Sequence, residues 1–460
     1  MNLRNKTNFK MYSFFYSAFF FLFLISGCEK FLNEKPDKSL AIPSTLKDLQ
    51  ALLDYHAAYT SDPNTGEISS GDFYLTQADW ASLSSEQHRR VYIWEKDYLF
   101  EINSVDWKTF STAVYHSNSV LEGLETIKRT ETNADQYDNI KGQALFFRAK
   151  NVLRASFIWT LAYDEQTASN DLGLPLRQNT DFNEISVRSS VRDTYSQIIS
   201  DLKIAIPLLP IKPLSYIRAS RPAAYACLSR TYLAMRKYTE AGLYADSCLQ
   251  VFSELIDYNT LANSSATYPF IELNKEVISH GSTTVGQILN LTRAKVVDEL
   301  YQSYNTFDLR KTLFFSTNAD GSHGFKGRYT GGASPFSGLA TDEIYLIRAE
   351  CFARAGQINN AMADLNTLLI NRWTKGKFIP YSATNEEEAL VLILTERRKE
   401  LLFRGLRWAD LKRLNKEGAG ITLKRTINNL EHDLPPNDLR YALPLPEDII
   451  SMSSMQQNPR

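Results

Sequence analysis

The amino-acid sequence predicts a mainly α-helical fold, a scaffold of repeated helix hairpins beside a loop-rich, irregular half. Three observations predict it. Apolar residues recur at helical spacing in several long stretches of the 460-residue chain. Ala223–Gln250 recurs as Asp342–Ile370 at an offset of 120 residues. Between the two copies, Leu255–Leu339 is rich in Gly, Ser, Thr and Asn and studded with aromatic rings.

The chain opens with a targeting segment. Arg4, Lys6 and Lys10 form a basic start, and Phe14–Ile25 is an apolar run too short for a comfortable membrane span. Leu24-Ile25-Ser26-Gly27-Cys28 then resembles a bacterial lipobox. Residues 1–27 are therefore expected to be a signal peptide, Cys28 a lipidated N-terminus, and 28–43 a polar tether. Residues 44–460 are expected to form one domain. Acyl chains contribute about 0.8 kcal/mol per buried methylene, enough to anchor a protein. No second apolar run of about 20 residues follows, so the rest is not expected to span a membrane.

Ser44 or Thr45 can cap a helix carrying Leu46, Leu49, Leu52 and Leu53. Asp54–Gln87 reads as loop. Trp107 opens a long helix with Phe110, Val114, Leu121 and Leu124 on its apolar side, and a second runs from about Asp138 to Tyr163. Val191–Ile206 is a third, closed by Pro207 and Pro210. In the repeat, Tyr225 matches Tyr345, Tyr232 matches Phe352, Ala241 matches Ala361 and Leu249 matches Leu369. Each copy is helix, short turn, helix, with a small Ala at the crossing. The pattern resembles tetratricopeptide hairpins, which stack because one hairpin cannot bury its own face. The helical repeats cover about 107–250 and 342–415, and the insertion about 255–339. So many aromatics in the insertion argue against disorder.

Leu394–Asn415 reads as one long helix. Leu394, Leu401, Leu402, Leu406, Trp408 and Leu411 make a buried stripe. The other face, with Arg397, Arg398, Lys399, Arg404, Arg407, Lys412 and Arg413, reads as solvated, and Gly405 sits mid-helix. Pairs Glu400–Arg404 and Arg407–Asp410 are expected along it. A nucleic-acid role is excluded by balance: the net charge is -1, and -4 without the first 27 residues.

Catalytic signatures are missing. No HExxH, GxSxG, phosphate loop or EF-hand spacing occurs, and His56, His88, His116, His280, His323 and His432 are scattered. No cofactor or metal is expected. Cys227, Cys248 and Cys351 are an odd set without CxxC; buried free thiols are expected, with a Cys227–Cys248 bridge the alternative.

In order along the chain, several segments resemble the SusD/RagB family of nutrient-binding outer-membrane lipoproteins. They are Cys28 with Phe31-Leu32 and Pro36, the Trp107/Tyr115/Asn118 spacing, Gly142–Ala149, Leu174-Pro175-Leu176, Ala223–Ala226, Glu343–Glu350, Glu396–Leu411 and the end from Leu443 to Pro459. Arg404 departs from the pattern, where an acid is common, which puts one surface ion pair in doubt. The resemblance implies a tetratricopeptide-like scaffold with a loop-rich ligand-binding half. It also implies lipid anchoring in the outer membrane and capture of an oligosaccharide, or in some members a peptide. The ligand would pass to a SusC-like TonB-dependent transporter, without catalysis. A protein–protein scaffold using the repeats is the alternative of a different class.

A planar aromatic ring matches the C–H face of a sugar, so loop aromatics are the candidate ligand contacts. Trp107, Trp159 and Trp408 lie on helix stripes and are assigned to core; Trp373 ends the later repeat and stays unassigned. The candidates are Tyr74, Trp80 and Trp94 in the first loop region, and Tyr258, Tyr268, Tyr304, Tyr329 and Phe336 in the insertion.

Overall fold

A computed structural model describes residues 43–102, 104–261 and 265–460. The leader, Cys28 and the tether to residue 42 lie outside the described residues. Helix α1 (Leu46–Leu53) starts from a reciprocal capping box between Thr45 and Asp48 and buries Leu49 and Leu53. The long helices α2 (Val105–Glu125) and α3 (Ala134–Trp159) pack along each other, and α4 (Val191–Leu208) packs on α3. Ser190 caps α4, and Pro207 falls in its last turn.

The repeat then follows as α5 (Arg221–Ala234) with α6 (Tyr238–Leu249), and α7 (Thr341–Arg354) with α8 (Ile358–Leu369). Every boundary is shifted by 120 residues, from 221 to 341, 234 to 354, 238 to 358 and 249 to 369. Both turns hold a left-handed residue at the same place, Arg236 at φ 60° and Gly356 at φ 71°. Ala241 and Ala361 are buried where the helices cross. Each helix packs on the next, and α6 on α7, so the two hairpins stack although the insertion separates them in sequence.

Leu394–Asn415 is not one helix. Asn385 caps α9 (Glu386–Glu400), which has three glutamates in its first turn and Arg397, Arg398 and Lys399 in its last, both favourable to the helix dipole. A turn follows, with Phe403 at φ 56° and Gly405 at φ 66°, and then α10 (Arg407–Lys416). The expected solvated face is also corrected. Glu396, Arg397, Lys399, Glu400, Arg404, Asp410, Lys412 and Arg413 are buried, because partners from four other segments meet them there. Glu400 accepts from Arg310 and Arg372 rather than pairing with Arg404. Arg404, placed on the surface by sequence, is buried against Asp342 at 3.2 Å. Asp410 takes Arg397 and Arg413 at 2.9 and 2.8 Å, and Arg407 turns toward Asp72.

The first loop region is also more regular than expected. It holds short helices at His56–Thr60, Thr65–Ser69, Gln77–Ala81 and Glu86–Tyr92, each too short to show a period. A last helix, α11 (Glu447–Ser453), ends near the C-terminus. Trp107, Trp159, Trp373 and Trp408 are all buried. Cys227, Cys248 and Cys351 are free and buried, and the alternative bridge is not formed. Among the described residues, no helix is long and apolar enough to cross a membrane.

The strands are short. β1 (Phe73–Tyr74), β2 (Leu172–Pro175), β3 (Arg188–Ser190), β4 (Lys295–Val296), β5 (Phe315–Thr317) and β6 (His323–Phe325) are those that matter below. One sheet has the order β1-β4-β6-β5, all neighbours antiparallel, so it joins the first loop region to the insertion. Its inner face, Phe73, Val296, Phe325 and Phe315, is buried. Phe325 stacks on Phe403 with centroids 5.2 Å apart, fixing the sheet to the turn between α9 and α10.

Candidate functional site

The outer face of this four-stranded sheet is the surface to which both loop regions contribute. Register places Tyr74 beside Lys295, Lys295 beside Gly324, and Gly324 beside Ser316. Gly324 is required: a Cβ there would lie 1.8 Å from the Leu291 carbonyl oxygen, which crosses the strand. The Lys295 ammonium is buried and donates to Asp79 at 2.8 Å and to the Thr292 carbonyl at 3.0 Å, with Asp320 at 3.8 Å. Burial opposes ionisation of Asp79, but hydrogen bonds from Lys295 and Thr76 prevail and hold its carboxyl below the usual range. Hydrogen bonds from Ser322 hold exposed Asp320 low as well.

Aromatic rings flank these charges. Tyr74 is half-buried, and its phenol is pushed up by burial and by Asp298. Tyr301 stacks on His323 at 3.5 Å between centroids and 15° between planes, and the Lys311 ammonium lies 4.9 Å from the Tyr301 centroid. Burial lowers the His323 pKa and so favours the neutral imidazole. Trp80 is half-buried beside Asp79, with Nε1 donating to the Arg89 carbonyl at 3.2 Å. The region brings aromatic rings, carboxylates and ammonium groups together on short strands, short helices and turns.

The structure divides the eight predicted aromatics. Tyr74, Trp80 and Tyr268 keep part of their surface in water. The other five are buried and correct the expectation, because each ring is used inside. Trp94 Nε1 donates to the Ser69 carbonyl at 3.0 Å, beneath the Arg425 guanidinium. Tyr258 and Tyr329 hydroxyls lie 2.8 Å apart, and Tyr329 donates to Glu276 at 2.7 Å. Tyr304 donates to the Lys399 carbonyl at 2.8 Å. Phe336 packs on Tyr329 under the Arg404 guanidinium. Sequence reasoning missed Lys295 and Asp320 beside Tyr74, and the Tyr301–His323 stack on the same small sheet. Lys295 and His323 lie on strands of two and three residues, Tyr301 on a five-residue helix and Asp320 in a turn, all too short for a periodic signal, and Lys295 meets Tyr74 across more than 200 residues. A deeper cleft lies elsewhere, on α2. No group of three or more His, Cys, Asp or Glu among the described residues is placed to hold a metal ion.

Stacked hairpins that support a loop-borne aromatic surface define a helical-repeat protein with a displayed recognition face. Residues 30–233 match the family described as starch-binding associating with outer membrane, a SusD-like model, and residues 341–460 match the SusD family model. The chain belongs to the SusD/RagB family. It is similar to the crystal structure of a putative sugar binding protein from Bacteroides vulgatus, at 19% identity over 91% of this chain and 99% of that one, TM-score 0.73. A SusD superfamily protein from Bacteroides thetaiotaomicron gives 21% identity over 90% and 100%, TM-score 0.73. A SusD-like carbohydrate binding protein from Bacteroides vulgatus gives 19% over 89% and 96%, TM-score 0.67. At such identities the likeness establishes the fold. No curated protein matches the chain.

Proposed function

We propose that this chain is a surface-exposed outer-membrane lipoprotein, anchored through Cys28, that captures an oligosaccharide and passes it to a SusC-like TonB-dependent transporter. It binds and does not catalyse. The observation that carries the reading is one small sheet that presents the half-exposed Tyr74 with Lys295, Asp79 and Asp320, and also carries the Tyr301–His323 stack with Lys311. A sugar ring stacks its C–H face on tyrosine while carboxylate and ammonium groups bond its hydroxyls. Trp80 and Tyr268 are further candidate contacts. Family membership and the sugar-binding descriptions of two structural relatives support the same class of ligand.

A glycan array probed with the purified chain, repeated with Tyr301→Ala, tests this. Binding to one class of glycan, lost in the variant, is expected; an array blank for both proteins would overturn the reading. The transporter is tested separately, by co-purification with a membrane barrel from the native host.

A further inference from the structure

A cleft of about 700 Å³ opens in the helical half and shares no lining residue with the sheet that presents Tyr74. Trp107, Phe110 and Val114 of α2 form its floor, Phe182 and Ile185 one wall, and Met452 of α11 the other. Its volume falls in the range of roughly 300–1,000 Å³ that encloses a small organic molecule. Aromatic rings bound it on two sides. Trp107 stands edge-on to Phe110 at 5.3 Å, and Tyr115 stacks on Phe182 at 5.2 Å with 29° between planes. Met452 and Met455 add soft, adaptable thioether surface.

The polar side chains of the walls are matched to one another. Arg177 and Glu184 are the charged residues of the lining, and they meet at 3.8 Å. Glu184 also accepts from Asn179 Nδ2 at 2.5 Å. Thr180 donates to Glu122 of α2 through its amide at 2.8 Å and its hydroxyl at 2.5 Å. Asn118 donates to the carbonyls of Arg177 and Asn179 and accepts from Arg148 at 2.9 Å. A charged ligand would find no unmatched partner here, and a sugar would leave most of its hydroxyls unmet, so the cleft suits a neutral, largely apolar molecule. One donor is left over. Trp107 is only 7% exposed and lines the cleft, and its indole N–H has no hydrogen-bond partner among the described residues. The indole N–H groups of Trp159 and Trp408 are sealed in the interior, whereas that of Trp107 is not. A buried ring with a donor at its open edge favours a ligand that brings one acceptor.

We propose that this cleft binds a neutral planar aromatic compound bearing a carbonyl, with its rings against Trp107, Phe110 and Phe182 and its carbonyl oxygen accepting from Trp107 Nε1. The site is independent of the glycan reading. Nile red, itself a neutral polycyclic carbonyl compound, is the probe, titrated into the full chain and followed by its fluorescence. Saturable binding is expected, weakened at least roughly tenfold by Ser111→Trp. Ser111 is exposed on α2 and lines the cleft, so that variant fills the cleft and keeps the fold. Acetylnaphthalene should then displace Nile red at least roughly fivefold more effectively than ethylnaphthalene, although ethylnaphthalene is the more apolar of the two, because only the ketone accepts a hydrogen bond. In Trp107→Phe, which keeps a ring and loses the N–H, that preference should vanish. Absence of saturation, indifference to Ser111→Trp, displacement by ethylnaphthalene as good as by acetylnaphthalene, a ketone preference that survives Trp107→Phe, or displacement by maltohexaose would each overturn the proposal.

Discussion

The Gly405 amide donates to the Glu67 carboxylate at 2.9 Å, joining the turn between α9 and α10 to the first loop region. Glu67 is fully buried, and burial, with Asp72 adding, pushes its pKa up from 4.5 to about 7. The native state therefore holds a proton that the unfolded chain releases between those values. Stability from this group is complete below pH 4.5 and falls as pH rises through about 7, by up to roughly 3 kcal/mol. Glu67→Gln keeps an acceptor for the Gly405 amide and removes the titrating proton. Urea denaturation from pH 4.5 to 8 should show the variant gaining on the wild type as pH rises. Parallel curves would contradict this.

Gly405 is also where the backbone turns left-handed, at φ 66°. A Cβ there would meet nothing nearer than the Arg154 guanidinium nitrogens at 3.7 Å, so space is adequate and conformation is not. Gly405→Ala should cost about 1–2 kcal/mol, with Gly405→Asn costing less. Equal midpoints for Ala and Gly in urea would show that the turn relaxes.

Arg372, without solvent exposure, donates to Glu400 at 2.7 Å and to Glu276 at 2.8 Å, linking α8, α9 and the insertion. Arg372→Met leaves Glu276 without its cation and Glu400 with Arg310 alone, and should cost roughly 3–5 kcal/mol. Adding Glu276→Gln should restore part of the loss in a double-mutant cycle. Additive losses would mean that the two side chains are not coupled.

Trp408 is buried against Tyr441 at 4.7 Å and against Gly66. Trp408→Ala should cost about 3–5 kcal/mol and leave ligand preference unchanged. An unaltered melting temperature would remove the C-terminal helix from the core.

Much of the scaffold was legible because helix hairpins are local. Ala241 and Ala361, and Arg236 and Gly356, mark crossings and turns by spacing alone. The Leu394–Asn415 stretch misled because its charges resemble a solvated face, and only Arg310, Arg372, Asp342 and Glu350, brought from afar, show that they are buried. Loop aromatics carry the same ambiguity. Tyr258 and Tyr329 look like Tyr74 in sequence, and what separates them is the buried Glu276 that Tyr329 finds by folding. Gly324 belongs to the candidate face through pairing with Lys295, on a strand that no nearby residue announces.

The central claim is that the small sheet presenting Tyr74, with Tyr301 beside it on His323, holds the ligand. Isothermal titration of the array-selected glycan into wild type and the Tyr74→Ala/Tyr301→Ala variant tests it most directly. Each ring should contribute about 1 kcal/mol, so the account predicts a loss of at least tenfold in affinity with an unchanged melting temperature. Wild-type affinity in the folded double variant would contradict it.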